Sequence, residues 1–349
     1  MTMRAVPLEE AIGRRAACDV TAVTPGSVRS ILTRGSVVRA ADLPALRDAG
    51  HQVLYVQDDD TREGTGEVEE GPTSLAIAQV VGGPGLRIEP AEAGKTFLFA
   101  AADGLVRVDP DVCEQVNDSD LVLLTTRAPE SVVSAGQLVA VVDTIPLTVP
   151  EERLAALVEA LRARGQAVQV APFAPLAAAL LITGTEIHEG RIPDAVEPVV
   201  RDKLARFGGR LEQVEILPDD EERIAAAIRT ACDGHDLVIV TGGMSVDPTD
   251  RTPAAISSVA ETVLKYGIPV LPTSMNLVAR RGAATILGVS SGLVHYRSAN
   301  ILDLLLPPLF ARVPLTRPYL VRLGAGGLMP AFSSGVEHRR EASREAQVR

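Results

Sequence analysis

A loop in the second half of the chain combines two glycines with two carboxylates. Gly242 and Gly243 can adopt positive φ and let a ligand approach the backbone, whose free N–H groups favour an anion. Asp247 and Asp250 follow, and two carboxylates repel a bound anion unless a divalent cation lies between them. The loop therefore predicts a phosphate or pyrophosphate bound through magnesium. In the alternative interpretation, Asp250 only caps the next helix and Asp247 forms a turn with Pro248.

The elements on either side would place this loop at the end of a strand. Leu237–Val240 is a short, β-branched apolar run, which is typical of a strand buried on both faces of a parallel sheet. After the loop, Thr252 suits an N-cap and Pro253 suits the first helical position, where its missing N–H costs nothing. The predicted order is strand, loop and helix.

An upstream segment repeats that order. Leu180–Ile182 predicts a buried strand, the loop Thr183-Gly184-Thr185-Glu186 follows it, and Asp194 precedes an amphipathic helix that ends at Gly208-Gly209. In an open parallel sheet, loops at the carboxyl ends of the strands share one crevice. We therefore expect the Thr-Gly loop (residues 183–186) and the Gly-Gly loop (residues 241–250) to lie together.

As a pair, the two loops resemble those of the molybdopterin-binding domain of molybdopterin adenylyltransferases, molybdenum insertases and gephyrin. The chain is similar over most of its length to a group of longer molybdopterin-binding proteins. This resemblance implies an α/β fold, with a three-layer α/β/α domain around a mostly parallel sheet. The N-terminal region resembles the α+β opening of the insertase-like proteins. Short apolar runs separated by Gly, Pro and Asp turns between Gly94 and Leu147 predict a strand-rich middle domain. The implied ligands are molybdopterin or its adenylylated form and Mg²⁺, with ATP or molybdate as the further reactant of a transfer reaction.

The resemblance also implies roles for individual residues. Asp250 and Glu186 are the expected catalytic residues, and with Asp247 and Asp194 they are the expected magnesium ligands. The residues expected to bind the pterin are Thr183, Gly184, Thr185, Thr241, Gly242, Gly243, Ser245, Thr252, Ser290, Ser291 and Gly292.

Two loops depart from the insertase pattern. Where insertases carry Leu-Pro-Gly-Asn-Pro, this chain has Val289-Ser290-Ser291-Gly292-Leu293, without either proline. Where they carry Lys-Pro-Gly-Lys-Pro, it has Lys265-Tyr266-Gly267-Ile268-Pro269, so Ile268 replaces a lysine and a polyanion loses a partner. Three functions stay open: a transferase of the molybdopterin molybdenumtransferase or adenylyltransferase type, a noncatalytic molybdopterin carrier, and an oligomeric scaffold without a working pocket.

A hydrolase is a weaker alternative. Gly288-Val289-Ser290-Ser291-Gly292 matches the Gly-x-Ser-x-Gly nucleophile elbow, which needs a later acid and a later histidine. Asp303 and His338 are the available pair, but the first falls within a predicted helix and the second in a predicted tail. The match is therefore a poor guide to function.

Other polar residues have simpler interpretations. His188 and His295 have no second His or Cys at metal-binding spacing, which favours partly exposed polar positions. Asp219 and Glu222 are in capping-box register, so we expect these acids to cap a helix.

The composition excludes several classes of protein. The chain of 349 residues has 46% hydrophobic residues, enough for a sizeable core. A net charge of −11 and only 3% aromatic residues argue against a nucleic-acid or anionic-membrane surface. Three scattered cysteines fit a reducing compartment, and there is no apolar leader or long uncharged apolar run. These features predict a cytoplasmic protein that contacts no membrane.

Changes in pattern along the chain predict four regions. Residues 1–60 form an insertase-like α+β region, and residues 61–172 comprise a linker and a strand-rich middle domain. The acidic linker is expected from Asp58 to Pro72. Residues 173–316 form the molybdopterin-binding domain, and residues 317–349 form a mostly disordered extension. We expect a homo-oligomer, either a dimer or a trimer.

Overall fold

The computed structural model describes residues 3–57, 66–245, 247, 249–330 and 332–334. The chain forms two units. The first comprises Met1–Ala101 and Val106–Val170, and the second comprises Ala102–Leu105 and Ala171–Arg349.

The first unit is built mainly from short strands. Its strands are β1 (Met3–Pro7), β2 (Val20–Thr24), β3 (Ser27–Leu32), β4 (Val53–Gln57), β5 (Glu67–Glu69), β6 (Leu86–Pro90), β7 (Lys95–Ala100), β8 (Gly104–Val108), β9 (Val122–Thr126), β10 (Val132–Val133), β11 (Leu138–Thr144), β12 (Thr148–Pro150) and β13 (Val168–Pro172). Its helices are α1 (Leu8–Ala11), α2 (Leu43–Asp48), α3 (Glu70–Val81), α4 (Pro110–Asn117) and α5 (Glu151–Arg164). The antiparallel sheet β6-β7-β11-β9 confirms the predicted strand-rich middle region.

The second unit contains one large sheet. Its strands are β14 (Ala177–Thr183), β15 (Arg210–Leu217), β16 (Leu237–Thr241), β17 (Thr262–Tyr266), β18 (Leu277–Arg281) and β19 (Ala284–Val289). Its helices are α6 (Thr185–His188), α7 (Val196–Ala205), α8 (Glu221–Gly234), α9 (Thr252–Val259), α10 (Leu302–Phe310) and α11 (Arg317–Arg322), with a 3₁₀ helix at Ser291–His295. The strand order is β15-β14-β16-β19-β18-β17, parallel through the first four strands and antiparallel thereafter.

Alternate side chains of the central strands explain the three layers. Leu180 and Ile182 of β14 pack with Val200 of α7, whereas Leu181, between them, packs with Ile228 of α8. Strand side chains alternate between the two faces of a sheet, so a strand that is apolar at every position must be covered on both sides. The predicted α/β/α domain with a mostly parallel sheet is therefore confirmed.

The strand order also gathers the loops of interest. From β14 the chain crosses to β15 on one side and then to β16 on the other, so the order reverses between β14 and β16. In the register of the sheet, Thr241 is paired with Ile182 and with Val289, and Thr183 with Leu217. The carboxyl ends of β15, β14, β16 and β19 thus lie in a row at a topological switch point, where open α/β sheets bind ligands.

The prediction of a linker is wrong for its last residues, 67–72. Strand β5 pairs with β12, and α3 begins at Glu70 and includes Gly71 and Pro72. Proline is tolerated in the first helical turn because its missing N–H has no helical partner there. The start of the predicted linker, at Asp58, lies outside the described residues.

The predicted disordered extension is wrong for residues 317–330. Helix α11 begins after Thr316, whose hydroxyl accepts the N–H of Tyr319, and Leu320 and Met329 are buried against the core. Burial of two apolar side chains offsets the entropy that the chain loses on ordering. Among the described residues, no helix has both the length and the apolar character needed to span a bilayer.

Candidate functional site

The Thr-Gly loop leaves β14 through a glycine with positive φ. Gly184 has φ 150° and donates its N–H to the carbonyl of Leu217, at the end of β15, at 3.0 Å. The Thr183 hydroxyl is buried, 3.2 Å from the carbonyl oxygen of Thr241 and 3.0 Å from the Oγ1 of Thr252. This loop is therefore bonded to the ends of both neighbouring strands.

Asp219 holds the Thr-Gly loop instead of capping a helix. Its Oδ2 accepts the Thr185 N–H at 2.8 Å and the Thr185 hydroxyl at 3.1 Å, and its own N–H lies 3.2 Å from that hydroxyl oxygen. The cap of α8 is the next residue, Asp220, which accepts the N–H of Arg223. The capping interpretation was wrong for Asp219 because the adjacent Asp220 also suits an N-cap, and Thr185 binds the Asp219 carboxylate.

The Gly-Gly loop passes so close to β14 that a side chain is excluded. A Cβ on Gly242 would lie 2.1 Å from the carbonyl oxygen of Thr183, and Gly242 and Gly243 have φ values of 95° and 52°. The N–H groups of Gly243 and Met244 donate to no other described residue. Consecutive N–H groups on backbone with positive φ form a concavity that suits an anion.

The two aspartates of this loop have different partners. Asp250 Oδ2 accepts the N–H of Ser245 at 2.6 Å, while its Oδ1 has no hydrogen-bond partner in the described part of the chain. Asp247 Oδ1 accepts both the hydroxyl and the N–H of Thr249. These two bonds lower the pKa of Asp247, and the bond from the hydroxyl has the larger effect. Asp247 therefore forms the predicted turn, but Asp250 does not cap α9.

Helix α9 begins without a side-chain cap. Its N-cap is Arg251, and the first helical residue is Thr252, which was predicted as the cap. The Thr252 hydroxyl is instead within hydrogen-bond distance of the Thr183 hydroxyl. Thr252 thus links the start of α9 to the Thr-Gly loop.

The carboxylates expected to bind a metal are not equivalent. Asp194 uses both oxygens as a helix cap, accepting the N–H groups of Val196 and Glu197. Glu186 has no hydrogen bond to its carboxylate from the described residues, and it lies over Gly184, whose added Cβ would be 3.0 Å from Glu186 Oε1. Across the described ranges, no three His, Cys, Asp or Glu side chains form a cluster that could hold a metal. Asp250 Oδ1, Asp247 Oδ2 and the Glu186 carboxylate therefore have no described partner, and of these residues Asp250 bonds to the N–H of Ser245, beside the Gly-Gly backbone.

The third predicted loop follows β19. Ser290 caps the 3₁₀ helix by accepting the N–H of Gly292, and its own N–H bonds to the buried amide oxygen of Asn276. Ser291, the first residue of that helix, is exposed. Ile268 is fully buried in the core, so the position at which insertases carry their second lysine offers no cation to a ligand.

The hydrolase alternative gains no support. Asp303 accepts a hydrogen bond from the buried Lys203 ammonium at 2.6 Å and also accepts the N–H of Asn300. Its carboxylate therefore serves the packing of α7 against α10. His338 lies outside the described residues.

Sequence reasoning missed one polar side chain at the Gly-Gly loop. Tyr266, at the end of β17, donates its hydroxyl to the carbonyl of Met244 at 2.8 Å. Burial, and then the nearby charge of Asp250, raise the pKa of Tyr266, so the hydroxyl stays a donor. A buried hydroxyl of the same loop, Thr241 Oγ1, has no partner among the described residues and can receive a ligand or a water.

A cleft of about 640 Å³ lies elsewhere, within the first unit. Its lining includes Cys18, Asp19, Arg34 and Glu70, and none of the residues predicted to bind the pterin. The volume of a cleft therefore does not identify the binding site, and the loops at the strand ends remain the better candidate because they carry the polar groups that suit an anion and a metal.

Two family models match the chain. Residues 179–308 match one described as "Probable molybdopterin binding domain", and residues 5–58 match one described as a domain of unknown function (DUF8806). The first covers the parallel sheet and both glycine loops.

Individual proteins match over shorter stretches. A CinA-like protein of Citrifermentans bemidjiense is 37% identical over 93 residues, which cover 27% of this chain and 22% of that protein. A molybdopterin molybdenumtransferase of Staphylococcus epidermidis is 28% identical over 119 residues, which cover 32% of this chain and 28% of that protein. The chain thus spans under a third of either relative.

Among solved structures, the molybdopterin biosynthesis enzyme MoaB of Thermus thermophilus is similar at 22% identity, with a TM-score of 0.35. That match covers 42% of this chain and 97% of MoaB, and at this TM-score it supports no inference about function. The assignment therefore rests on the family model and on the loops that it spans. Residues 179–308 are thus similar to a probable molybdopterin-binding domain.

Proposed function

We propose that this domain binds the phosphate of molybdopterin through Mg²⁺ in molybdenum cofactor biosynthesis. The observation that carries the proposal is the run of two consecutive N–H groups, those of Gly243 and Met244, that donate to no described residue. Such a run at the end of a parallel strand attracts an anion. The carboxylate of Asp250 bonds to the next N–H along, that of Ser245, and so lies beside the proposed phosphate.

The donor set is compatible with magnesium. Mg²⁺ keeps several waters and is commonly bound by one or two carboxylates together with substrate phosphate oxygens, so it needs no cluster of three acidic residues. Asp250 Oδ1 has no described partner and fits this role, and Glu186 offers a second carboxylate. Asp194 does not fit, because both of its oxygens cap α7. When bound, the ion would neutralise the charge between carboxylate and phosphate.

The remaining residues would position the phosphate. Gly242 lets the loop backbone pass against Thr183, and a side chain at this position would displace the N–H groups. Thr183 and Thr252 fix the start of α9 relative to β14 through their hydroxyl contact. Thr241 brings a buried hydroxyl with no described partner to the same strand end.

A second candidate function is group transfer at this phosphate, either adenylyl transfer to molybdopterin or molybdate insertion into its adenylylated form. One observation favours it: both Asp250 and Glu186 have free oxygens at neighbouring strand ends. Phosphoryl chemistry depends mainly on positioning and on electrostatic stabilisation, which such carboxylates provide through a metal. Ile268 is buried and uncharged, so the loop that follows β17 lacks the second cation of the insertases. This difference favours binding over turnover.

Calorimetric titration tests the proposal. The purified chain is titrated with molybdopterin and with adenylylated molybdopterin, each with and without Mg²⁺, and the products are then analysed by mass. We expect binding that weakens without Mg²⁺, that is lost in Asp250→Asn and that is kept in the matched variant Asp247→Asn. A new product would identify transfer, and no binding of either pterin would contradict the proposal.

A further inference from the structure

Between Gly243 and Asp250, the described residue that anchors the Gly-Gly loop to the rest of its unit is Met244. The Met244 side chain is buried, and a Cβ on Gly288 of β19 would lie 2.7 Å from Met244 Cε. The carbonyl of the same residue accepts the hydroxyl of Tyr266 at 2.8 Å. Met244 is therefore held both by its side chain and by its backbone.

Beyond Met244, the loop bonds mainly to itself. Ser245 donates its N–H to Asp250, Asp250 donates its N–H to the carbonyl of Asp247, and Thr249 donates to the Asp247 side chain. Among the described residues, no hydrogen bond joins this stretch to another strand or helix. The Asp250 carboxylate lies between Met244 and the start of α9, and because it bonds to the N–H of Ser245, its position depends on how Met244 is held.

Resting on the function proposed above, we propose that Tyr266 is a positioning residue for magnesium binding. By fixing the Met244 carbonyl, its hydroxyl sets where the Asp250 carboxylate lies relative to the bound phosphate. A loop that is already in its bound conformation loses less entropy on binding, so the hydroxyl raises affinity without contacting the pterin. The ring lies near Asp250, whose negative charge acts on the tyrosine hydroxyl.

The substitution Tyr266→Phe isolates this effect, because it removes one oxygen from a side chain that is 38% exposed and leaves the ring. Tyr319→Phe is a matched control, since Tyr319 also donates its hydroxyl to a backbone carbonyl, that of Leu304, at 3.3 Å. We expect Tyr266→Phe to weaken Mg²⁺-dependent molybdopterin binding by about two- to tenfold, as for the loss of one hydrogen bond. Tyr319→Phe should leave the affinity unchanged.

Two further measurements separate positioning from a general structural role. Without Mg²⁺, where binding is weaker but still measurable, Tyr266→Phe should cause no additional loss of affinity, because the residue acts through the magnesium ligand Asp250. Without any ligand, trypsin should cleave faster after the exposed Arg251 in Tyr266→Phe than in the wild type or in Tyr319→Phe.

The outcomes are distinguishable. If the wild type binds no pterin, the proposed function fails, and the proteolysis still tests the anchor by itself. If the wild type binds and Tyr266→Phe matches it in affinity and in proteolysis, the inference is overturned. Equal losses of affinity with and without Mg²⁺ would also overturn the inference, because the hydroxyl would then not act through the magnesium ligand. A Tyr266→Phe variant that does not fold would overturn it as well, because a residue that positions one loop is not needed for the core.

Discussion

The two glycine loops of the second unit lie side by side, yet they are held differently. The Thr-Gly loop bonds to the end of β15 through Gly184 and through the three contacts between Thr185 and Asp219. The Gly-Gly loop keeps two consecutive N–H groups without a described partner and is anchored at Met244. The difference indicates that the first loop is part of the framework, whereas the second presents backbone to a ligand.

The largest effect should come from the point where the loops touch. Gly242→Ala places a Cβ 2.1 Å from the Thr183 carbonyl oxygen on backbone with φ 95°. We expect the free energy of unfolding to fall by about 2 to 4 kcal/mol, from the clash and the unfavourable φ. Gly267→Ala is the control, with φ 72° and nothing within 4 Å of an added Cβ. Equal denaturation midpoints for the two variants would contradict the close approach.

Asp219→Asn should weaken the framework loop. The substitution keeps an oxygen but removes the charge that strengthens the bonds from Thr185. A loss of about 1 to 2 kcal/mol in the free energy of unfolding is expected, measured by urea denaturation. The neighbouring variant Asp220→Asn is the comparison, because asparagine caps a helix about as well as aspartate. If Asp220→Asn were the more damaging change, the roles of these two aspartates would be reversed.

Asp194→Ala separates a cap from a metal ligand. Removing the acceptor of two N–H groups at the start of α7 should cost about 1 kcal/mol of stability. Because both oxygens serve the helix, the Mg²⁺ dependence of pterin binding should be unchanged. If pterin binding by Asp194→Ala no longer depended on Mg²⁺ in calorimetric titrations, Asp194 would be a magnesium ligand after all.

Asp250→Asn should have the smallest effect on stability. Its bond to Ser245 closes a loop that is largely exposed, so the free energy of unfolding should change by about 0.5 kcal/mol or less. Mg²⁺-dependent binding should nevertheless be lost. A large loss of stability would place Asp250 in the framework and remove the contrast between the loops.

The adjacency of the two loops could be predicted from the sequence. Leu180–Ile182 and Leu237–Val240 are apolar at every position, which requires burial on both faces, and parallel strands bring their following loops to one edge. The backbone conformation of Gly242 and Gly243 could likewise be predicted, because consecutive glycines indicate positive φ or a close approach of the backbone to another group.

The anchoring residues could not be predicted, because they depend on contacts distant in sequence. Tyr266 ends β17, which β18 and β19 separate from β16, so its bond to Met244 follows only from the strand order. Asp219 fits a capping pattern until Thr185 is known to lie beside it. Leu320 and Met329 are ordered because they are buried against the core, and the local sequence does not predict this burial.

Amide hydrogen exchange of the wild-type chain tests the central claim most directly. Exchange is compared without ligand and with molybdopterin plus Mg²⁺. The N–H groups of Gly243 and Met244 should become protected on binding, because the phosphate accepts from them, while protection at Gly184 and Thr185 should hardly change. Protection confined to the Thr-Gly loop, or no change at Gly243 and Met244 in a complex that forms, would contradict the assignment of the Gly-Gly loop as the anion site.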